Sequence, residues 1–149
     1  MGTANRTLPR RPHAERPRPG EVVRKRGGAD LQNGWYGRHG TLSLTDERLV
    51  FVPTIIDTAL GGKRREILWD DIVEIERYPS KPDMVVPGGK RPRIIIHTEE
   101  CGYEFMVGDM DAWIDAMEIM YAHRNKNGHS HVPVIVREGS TTELLSELS

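Results

Sequence analysis

The fold of this chain is decided by the stretch Gly40-Thr41-Leu42-Ser43-Leu44-Thr45-Asp46-Glu47-Arg48-Leu49-Val50-Phe51. Its first half alternates apolar leucines with small polar residues, which is the period of a half-buried β-strand. A short polar turn around Asp46 follows, and an apolar, β-rich run then begins at Arg48. The stretch therefore predicts a β-hairpin that places one face in a hydrophobic core.

Short apolar segments on both sides of this hairpin predict five further strands. They cover residues 22–26, 66–69, 72–77, 93–98 and 103–107. Glycine-containing loops are predicted at residues 27–39 and 79–92. With hairpin strands at 40–45 and 48–52, the sequence predicts seven strands in all.

One amphipathic helix follows the last of these strands. Asp109 is a favourable N-cap, and Asn127-Gly128 ends the helix. Because a twisted sheet has an open side that needs an apolar cover, we expect the helix to close it; a surface for a partner helix is the alternative. The apolar stripe consists of Trp113, Ala116, Met117, Met120 and Tyr121.

The 149 residues leave room for one domain of roughly 100 residues and two tails. We expect this domain at residues 21–124, preceded by a disordered arm at 1–20 and followed by an extension at 125–149. A single cysteine excludes an internal disulfide, and no apolar run reaches the ~18 residues that span a bilayer. Without an apolar signal segment, we expect a cytoplasmic location, with peripheral attachment to the inner face of the membrane as an option.

The N-terminal arm is rich in arginine and proline. Residues 1–28 carry eight basic and two acidic side chains, a net charge of +6; since the whole chain carries −1, the remainder carries −7. An arm of this composition is predicted to be solvated and able to meet polyanions, although it could equally serve no binding role. No aromatic residue lies between Arg6 and Arg18, so nucleic-acid binding is the least favoured reading.

The order of these elements resembles that of GRAM domains, a branch of the pleckstrin-homology-like superfold. Gly40 to Phe51 is similar to the family signature, Trp69-Asp70-Asp71-Ile72 to its aspartate-isoleucine step, and Gly102-Tyr103-Glu104-Phe105 to a later strand. The resemblance covers residues 21–122. It implies a mainly β fold with one α-helix, in which a seven-stranded bent sheet or partly open barrel is capped by the C-terminal helix. It also implies membrane-associated roles through phosphoinositides or other anionic lipids.

In such a topology the loops after the first, third and sixth strands meet at one end of the sheet. Residues 32–39, 54–65 and 98–102 should therefore be neighbours. The middle loop has an apolar tip followed by three cations, which suits the interface of an anionic membrane; alternatively, its apolar side chains fold back on the core. Aromatic side chains before the second strand are suited to anchor at such an interface. The predicted membrane-binding residues are Trp35, Tyr36, Arg38, Ile55, Ile56, Leu60, Lys63, Arg64 and Arg65.

A second basic loop contains Lys90, Arg91 and Arg93. Its glycines allow close approach of a phosphate, but no strand-loop-helix setting surrounds them, so neither a nucleotide nor another cofactor is expected. The topology predicts this loop at the opposite end of the sheet from Lys63.

No catalytic or metal-binding constellation is predicted, and we expect no enzyme activity. Asp70-Asp71 and Glu99-Glu100 are adjacent pairs whose side chains should point to opposite faces of a strand. Cys101 follows two acidic residues, which disfavours its thiolate. His97 is expected at an edge or on the surface. Three other histidines flank a flexible Asn-Gly joint without a fixed scaffold for a metal, namely His123, His129 and His131.

The C-terminal extension contains the apolar segment Val132-Pro133-Val134-Ile135-Val136, whose proline restricts it to a sheet edge. Ser140 and Glu143 match a capping box before a short leucine-containing helix, which needs a surface to pack on. That surface is either this domain or a protein partner. The candidate partner-binding residues are Val134, Val136, Leu144, Leu145 and Leu148.

These observations favour a non-catalytic binding module at an anionic membrane surface. The alternative is a protein-interaction module whose C-terminal strand and helix recruit a partner.

Overall fold

The computed structural model describes residues 14–33, 36–78 and 92–136. The strands are β1 (Val23–Asn33), β2 (Tyr36–Thr45), β3 (Arg48–Pro53), β4 (Arg65–Leu68), β5 (Ile72–Tyr78), β6 (Arg93–Thr98), β7 (Gly102–Met106) and β8 (Val134–Val136). The helices are α1 (Ile55–Ala59), the long α2 (Met110–Lys126) and a short 3-10 helix at Trp69–Asp71.

The strands form one open sheet in the order β4-β3-β2-β1-β7-β6-β5-β8. Neighbouring strands are antiparallel, except that β8 runs parallel to β5. β1 pairs with β2 along its length but with β7 only through Asp30 and Leu31, so two halves of the sheet meet at a narrow junction. The predicted fold class, mainly β with one main helix, is confirmed. The predicted count of seven strands is wrong, because β8 makes the sheet eight-stranded.

β2 and β3 form the predicted hairpin. In their register Leu42 lies opposite Phe51 and Leu44 lies opposite Leu49, and all four side chains are buried. Glycine is required at position 40 because a Cβ there would lie 2.7 Å from the ring of Phe51. The first residue of the deciding stretch therefore allows the aromatic side chain to cover the strand.

β1 is longer than predicted because it continues through Gly27 and Gly28. Leu31, in the segment that the sequence assigns to a loop, is buried in the core. Gly27 lies beneath the indole of Trp113, where an added Cβ would be in contact at 3.4 Å. β2 likewise begins at Tyr36, earlier than predicted. The two glycines thus belong to a strand that the helix covers.

α2 covers the sheet as predicted. The Tyr121 hydroxyl donates to the carbonyl of Trp69 at 2.8 Å, and the Trp69 indole N–H donates to the carbonyl of Thr45 at 3.0 Å. These two hydrogen bonds connect α2 to the 3-10 helix and the 3-10 helix to the β2–β3 hairpin. Asp109 is the N-cap, but its carboxylate accepts from Lys25 Nζ at 2.8 Å and makes no side-chain capping bond. The buried residues of the helix are Met110, Trp113, Ile114, Met117, Met120 and Tyr121.

Residues 14–20, which the sequence assigns to a solvated arm, contact the sheet. Glu15 accepts hydrogen bonds from Arg48 and Arg64, and Arg18 donates to Glu66 at 2.8 Å. The difference arises because charged residues of this segment have complementary partners on β3, on β4 and before β4. Residues 1–13 lie outside the described residues.

β8 docks on the domain itself. Pro133 is buried and Ile135 packs against the core, while Val134 is 61% exposed. The predicted position at a sheet edge is confirmed, since β8 is the last strand in the sheet order. The predicted helix with Leu144, Leu145 and Leu148 lies outside the described residues, as does most of the loop at 79–92.

Candidate functional site

A cleft of about 360 Å³ lies where the end of β1 and the start of β2 meet the β3–β4 and β6–β7 connections. The sequence predicts that residues 32–39, 54–65 and 98–102 are neighbours, and the structure confirms it for the described residues of these ranges that line the cleft. We call this site the basic cleft, because three of its residues are cationic. It is lined by Leu31, Gln32, Arg38, Gly61, Gly62, Lys63, Arg65, Cys101, Gly102 and Tyr103.

The three cations of the basic cleft differ in how they are held. Arg38 donates to the carbonyl of Leu60 at 2.9 Å and lies 3.8 Å from the carboxylate of Asp57. Lys63 and Arg65 are exposed, and within the described part of the chain neither forms an ion pair. Arg38 therefore helps to position the loop, whereas the charges of Lys63 and Arg65 are available to an anion.

Arg64 is separated from this cleft. Its guanidinium donates two hydrogen bonds to Glu15, at 2.8 and 2.7 Å. The hydrogen bond to Glu15 raises the pKa of Arg64 and lowers that of Glu15. Adjacent residues in extended backbone point in opposite directions, so Arg64 turns away while Lys63 and Arg65 face the cleft. The sequence shows three equivalent cations, and only the structure distinguishes them.

An exposed apolar tip stands beside the basic cleft. Ile55, Ile56 and Leu60 are 64%, 73% and 64% exposed, so the alternative in which they fold back on the core is wrong. Asp57 holds the tip on the domain. Its buried carboxylate accepts a hydrogen bond from the backbone N–H of His39, and its backbone N–H donates to the Thr54 hydroxyl. The tip is thus a fixed helix and its C-cap, with its apolar side chains directed to solvent.

The other predicted contact residues are placed as follows. Trp35, Lys90 and Arg91 lie outside the described residues, and Tyr36 is described only as the first residue of β2. Arg93 lies in β6 and donates to Glu104 of β7 at 3.0 Å. The structure therefore describes only Arg93 from the second basic loop, in a cross-strand ion pair.

Tyr103 lines both the basic cleft and a second cavity of about 450 Å³, which we call the acidic cavity. The hydrogen bond between Tyr103 and Cys101, together with burial, raises the pKa of the Tyr103 phenol, and the nearby charge of Arg65 opposes this. The acidic cavity is lined by Glu66, Ile67, Asp70, Asp71, Val73, Thr98, Glu99, Glu100, Tyr103 and His131.

The acidic cavity corrects one prediction. Asp70-Asp71 and Glu99-Glu100 were expected to split across the faces of strands, yet both members of each pair line this cavity. The first pair lies in the 3-10 helix and the second in the turn between β6 and β7, so the alternation of strands does not apply to them. Sequence reasoning missed this grouping because it placed those residues in extended backbone.

The three C-terminal histidines have separate partners. His123 contacts the Asn127 amide, His129 contacts Arg124, and His131 contacts the carbonyl of Ile72 at 2.6 Å. Within the described ranges, these histidines do not form a group of metal-ligating side chains.

Comparisons with known proteins identify the fold. No protein-family model and no curated protein matches this chain. The C-terminal domain of an unknown protein from Leishmania infantum is similar, with 17% identity and a TM-score of 0.54 over 81% of this chain and 96% of that one. The hSac2 domain from the human phosphoinositide phosphatase Sac2 is similar with 11% identity and a TM-score of 0.54, over 94% of this chain and 89% of that one. In the described ranges, no helix has the length and hydrophobicity needed to cross a bilayer.

Proposed function

We propose that this domain is a non-catalytic module that associates peripherally with anionic membranes through the basic cleft and the apolar tip. The observation that carries the proposal is the juxtaposition of Lys63 and Arg65 with the exposed side chains of Ile55, Ile56 and Leu60. Aliphatic groups enter the acyl boundary of a bilayer while neighbouring cations stay at the phosphates. A folded protein in water otherwise gains no stability by exposing these three large apolar side chains on one short helix and its C-cap.

The energies fit reversible binding. Each cation near an anionic leaflet contributes about 1 kcal/mol, so Lys63 and Arg65 together contribute about 2 kcal/mol. Each aliphatic side chain contributes roughly 1.5–3 kcal/mol if it is fully buried in the interface, and less if only its tip enters. Neither group suffices alone, because association also loses translational and rotational freedom. Binding should therefore need both and should weaken as salt increases.

Two likenesses support a lipid ligand. The chain resembles GRAM domains in its deciding stretch, and that family is associated with membranes. A structural neighbour belongs to a phosphoinositide phosphatase. Both favour phosphoinositides or other acidic phospholipids as the class of headgroup to test first. The expected location is the cytoplasm, with peripheral attachment to the inner face of the membrane.

Co-sedimentation with liposomes tests the proposal. The parent should bind phosphatidylcholine vesicles that contain phosphatidylserine or a phosphoinositide and should not bind vesicles of phosphatidylcholine alone. Reversing both charges in a Lys63→Glu/Arg65→Glu variant should abolish binding, and Ile56→Asp should weaken it several-fold. Arg64→Gln is the matched control: it removes a cation from the same loop, but one already held by Glu15, and should bind like the parent.

Two outcomes would contradict this function. Equal sedimentation of the charge-reversed variant and the parent would exclude the basic cleft. Equal binding to neutral and anionic vesicles would exclude an electrostatic contribution. Removing residues 1–13 leaves Glu15 in place and tests the arginine arm separately. This deletion should reduce binding without abolishing it, because a tethered arm adds avidity and no specificity.

A second candidate function is recruitment of a protein partner at β8. The observation in its favour is that β8 ends the sheet order and exposes Val134, so a partner strand could extend the sheet at this edge. Nucleic-acid association through the arginine arm is a third class and has no aromatic platform for bases. A membrane-binding result that depends on Lys63 and Arg65 favours the first function over both.

A further inference from the structure

Three potential metal ligands meet on the solvent face of β5 and β6. Glu74 and Glu76 are two residues apart on β5 and share a face, whereas Ile75 between them is buried. His97 of β6 lies opposite Glu74 in the register. Its Nε2 contacts the carboxylate of Glu76 and lies 3.9 Å from Oε1 of Glu74. The ligand atoms of all three side chains lie within 4.8 Å of one another.

In the described ranges, no arginine or lysine forms an ion pair with these carboxylates. Within the described part of the chain, the ion-pair partner of both Glu74 and Glu76 is His97. The two carboxylates lie close together on one face of the strand, so their negative charges repel each other. A divalent cation between them would neutralise both.

Strands β7 and β8 flank this group on its two sides. Glycine occupies position 102 on β7, opposite His97, and a Cβ there would lie 3.3 Å from Nδ1 of the imidazole. On the other side, β8 places Val134 and Val136 beside Glu74 and Glu76. The group is half-buried between a glycine and two apolar side chains, with 18% to 38% of each ligand side chain exposed.

We propose that Glu74, Glu76 and His97 bind one divalent transition-metal ion, with Zn²⁺ as the best fit. Imidazole nitrogen and carboxylate oxygen bind Zn²⁺ at about 2.0–2.2 Å, and the three ligand atoms already lie within 4.8 Å of one another. An imidazole in the set disfavours Mg²⁺ and Ca²⁺, which take oxygen ligands. Three protein ligands leave a coordination position for water.

Titration of the metal-free protein with ZnCl₂ by calorimetry tests the site. The parent should bind one Zn²⁺ per chain, and MgCl₂ should give no comparable signal. His97→Ala and Glu76→Gln should each weaken Zn²⁺ binding by at least about tenfold, since loss of a ligand costs no less than loss of its supporting shell. Two matched controls should bind like the parent: His123→Ala, a helix-surface histidine, and Glu104→Gln, a β7 carboxylate paired with Arg93.

Thermal denaturation gives a second readout. Saturating Zn²⁺ should raise the Tm of the parent, because a ligand that binds only the folded state stabilises it, and should not raise that of His97→Ala. Glu76→Gln keeps the shape of the side chain, so its metal-free Tm should show that it folds. The proposal is overturned if the parent binds Zn²⁺ no tighter than His97→Ala does, or if His123→Ala loses as much affinity as Glu76→Gln.

Discussion

The guanidinium of Arg48 and the carboxylate of Glu21 form a bidentate ion pair inside the protein, with Nε–Oε2 at 2.8 Å and Nη2–Oε1 at 3.0 Å. Their side chains are 1% and 0% exposed. The Thr45 hydroxyl adds a hydrogen bond of 2.6 Å to the same carboxylate. Because Arg48 begins β3 and Glu21 precedes β1, this pair joins the chain before the sheet to the hairpin that decides the fold.

This pair predicts a loss of stability in acid. The hydrogen bond from Arg48 is the largest cause that lowers the pKa of Glu21, from 4.5 to about 2. A carboxyl whose folded pKa is depressed stabilises the fold above its unfolded pKa, and that contribution is lost as the pH falls through the folded pKa. The free energy of unfolding should therefore decline between pH 4.5 and about 2.

Urea denaturation at a series of pH values measures this decline. In Glu21→Gln the free energy of unfolding should depend less steeply on pH over the same range, since the glutamine amide does not titrate. Some dependence of the free energy of unfolding on pH should remain in this variant, because Arg64 also lowers the pKa of Glu15. Identical slopes for Glu21→Gln and the parent would contradict the assigned role of Glu21.

Gly40→Ala should destabilise the hairpin. Its Cβ would lie 2.3 Å from the carbonyl oxygen of Val52 and 2.7 Å from the Phe51 ring, so backbone or aromatic ring must shift. We expect a loss of about 1–3 kcal/mol in the free energy of unfolding. Gly28→Ala is the matched control, because a Cβ there meets no atom within 4 Å and should leave stability much closer to that of the parent.

Trp113→Ala should remove much of the stability of the domain. The indole is 1% exposed and fills the space between α2 and the sheet, beneath the ammonium of Lys25 at 4.9 Å from the ring centre. Truncation of a buried aromatic side chain costs about 3–5 kcal/mol. Ile119→Ala on the outer face of the same helix, where the side chain is 70% exposed, should change the Tm little. Equal Tm values for Trp113→Ala and the parent would mean that packing of α2 on the sheet does not stabilise the domain.

Deletion of residues 129–149 should lower the Tm, because it removes β8 and its pairing with β5. Ile135→Ala should reproduce part of this loss, since Ile135 packs against the core, whereas Val134→Ala should not. An unchanged melting curve after the deletion would favour an extension kept free for a partner. Differential scanning calorimetry distinguishes these results.

The parts of the fold that local patterns encode were predictable. The alternation at Leu42 and Leu44 and the helical spacing of Trp113 and Met117 each report on one element. The second half of β1 was not predictable, because Gly27-Gly28 has the propensity of a loop and becomes a strand only by pairing with β2. The parallel pairing of β8 with β5 likewise depends on residues far apart in the sequence.

The candidate site was predictable to the level of loops. Strand order determines which connections meet, and this is why the basic cleft forms where expected. The separate role of Arg64 depends on Glu15, which lies 49 positions away along the chain. The group at His97 depends on a register shift between Ile72 and Glu74, which brings Glu74 opposite His97. No pattern of residue spacing in the sequence indicates this register shift.

The position of Tyr103 makes one end of the molecule electrically asymmetric. On one side of this side chain lie the ammonium and guanidinium groups of Lys63 and Arg65, and on the other lie the carboxylates of the acidic cavity. A negatively charged surface would attract the side with Lys63 and Arg65 and repel the side with the acidic cavity. The resulting torque would turn the molecule to one approach direction before any contact forms.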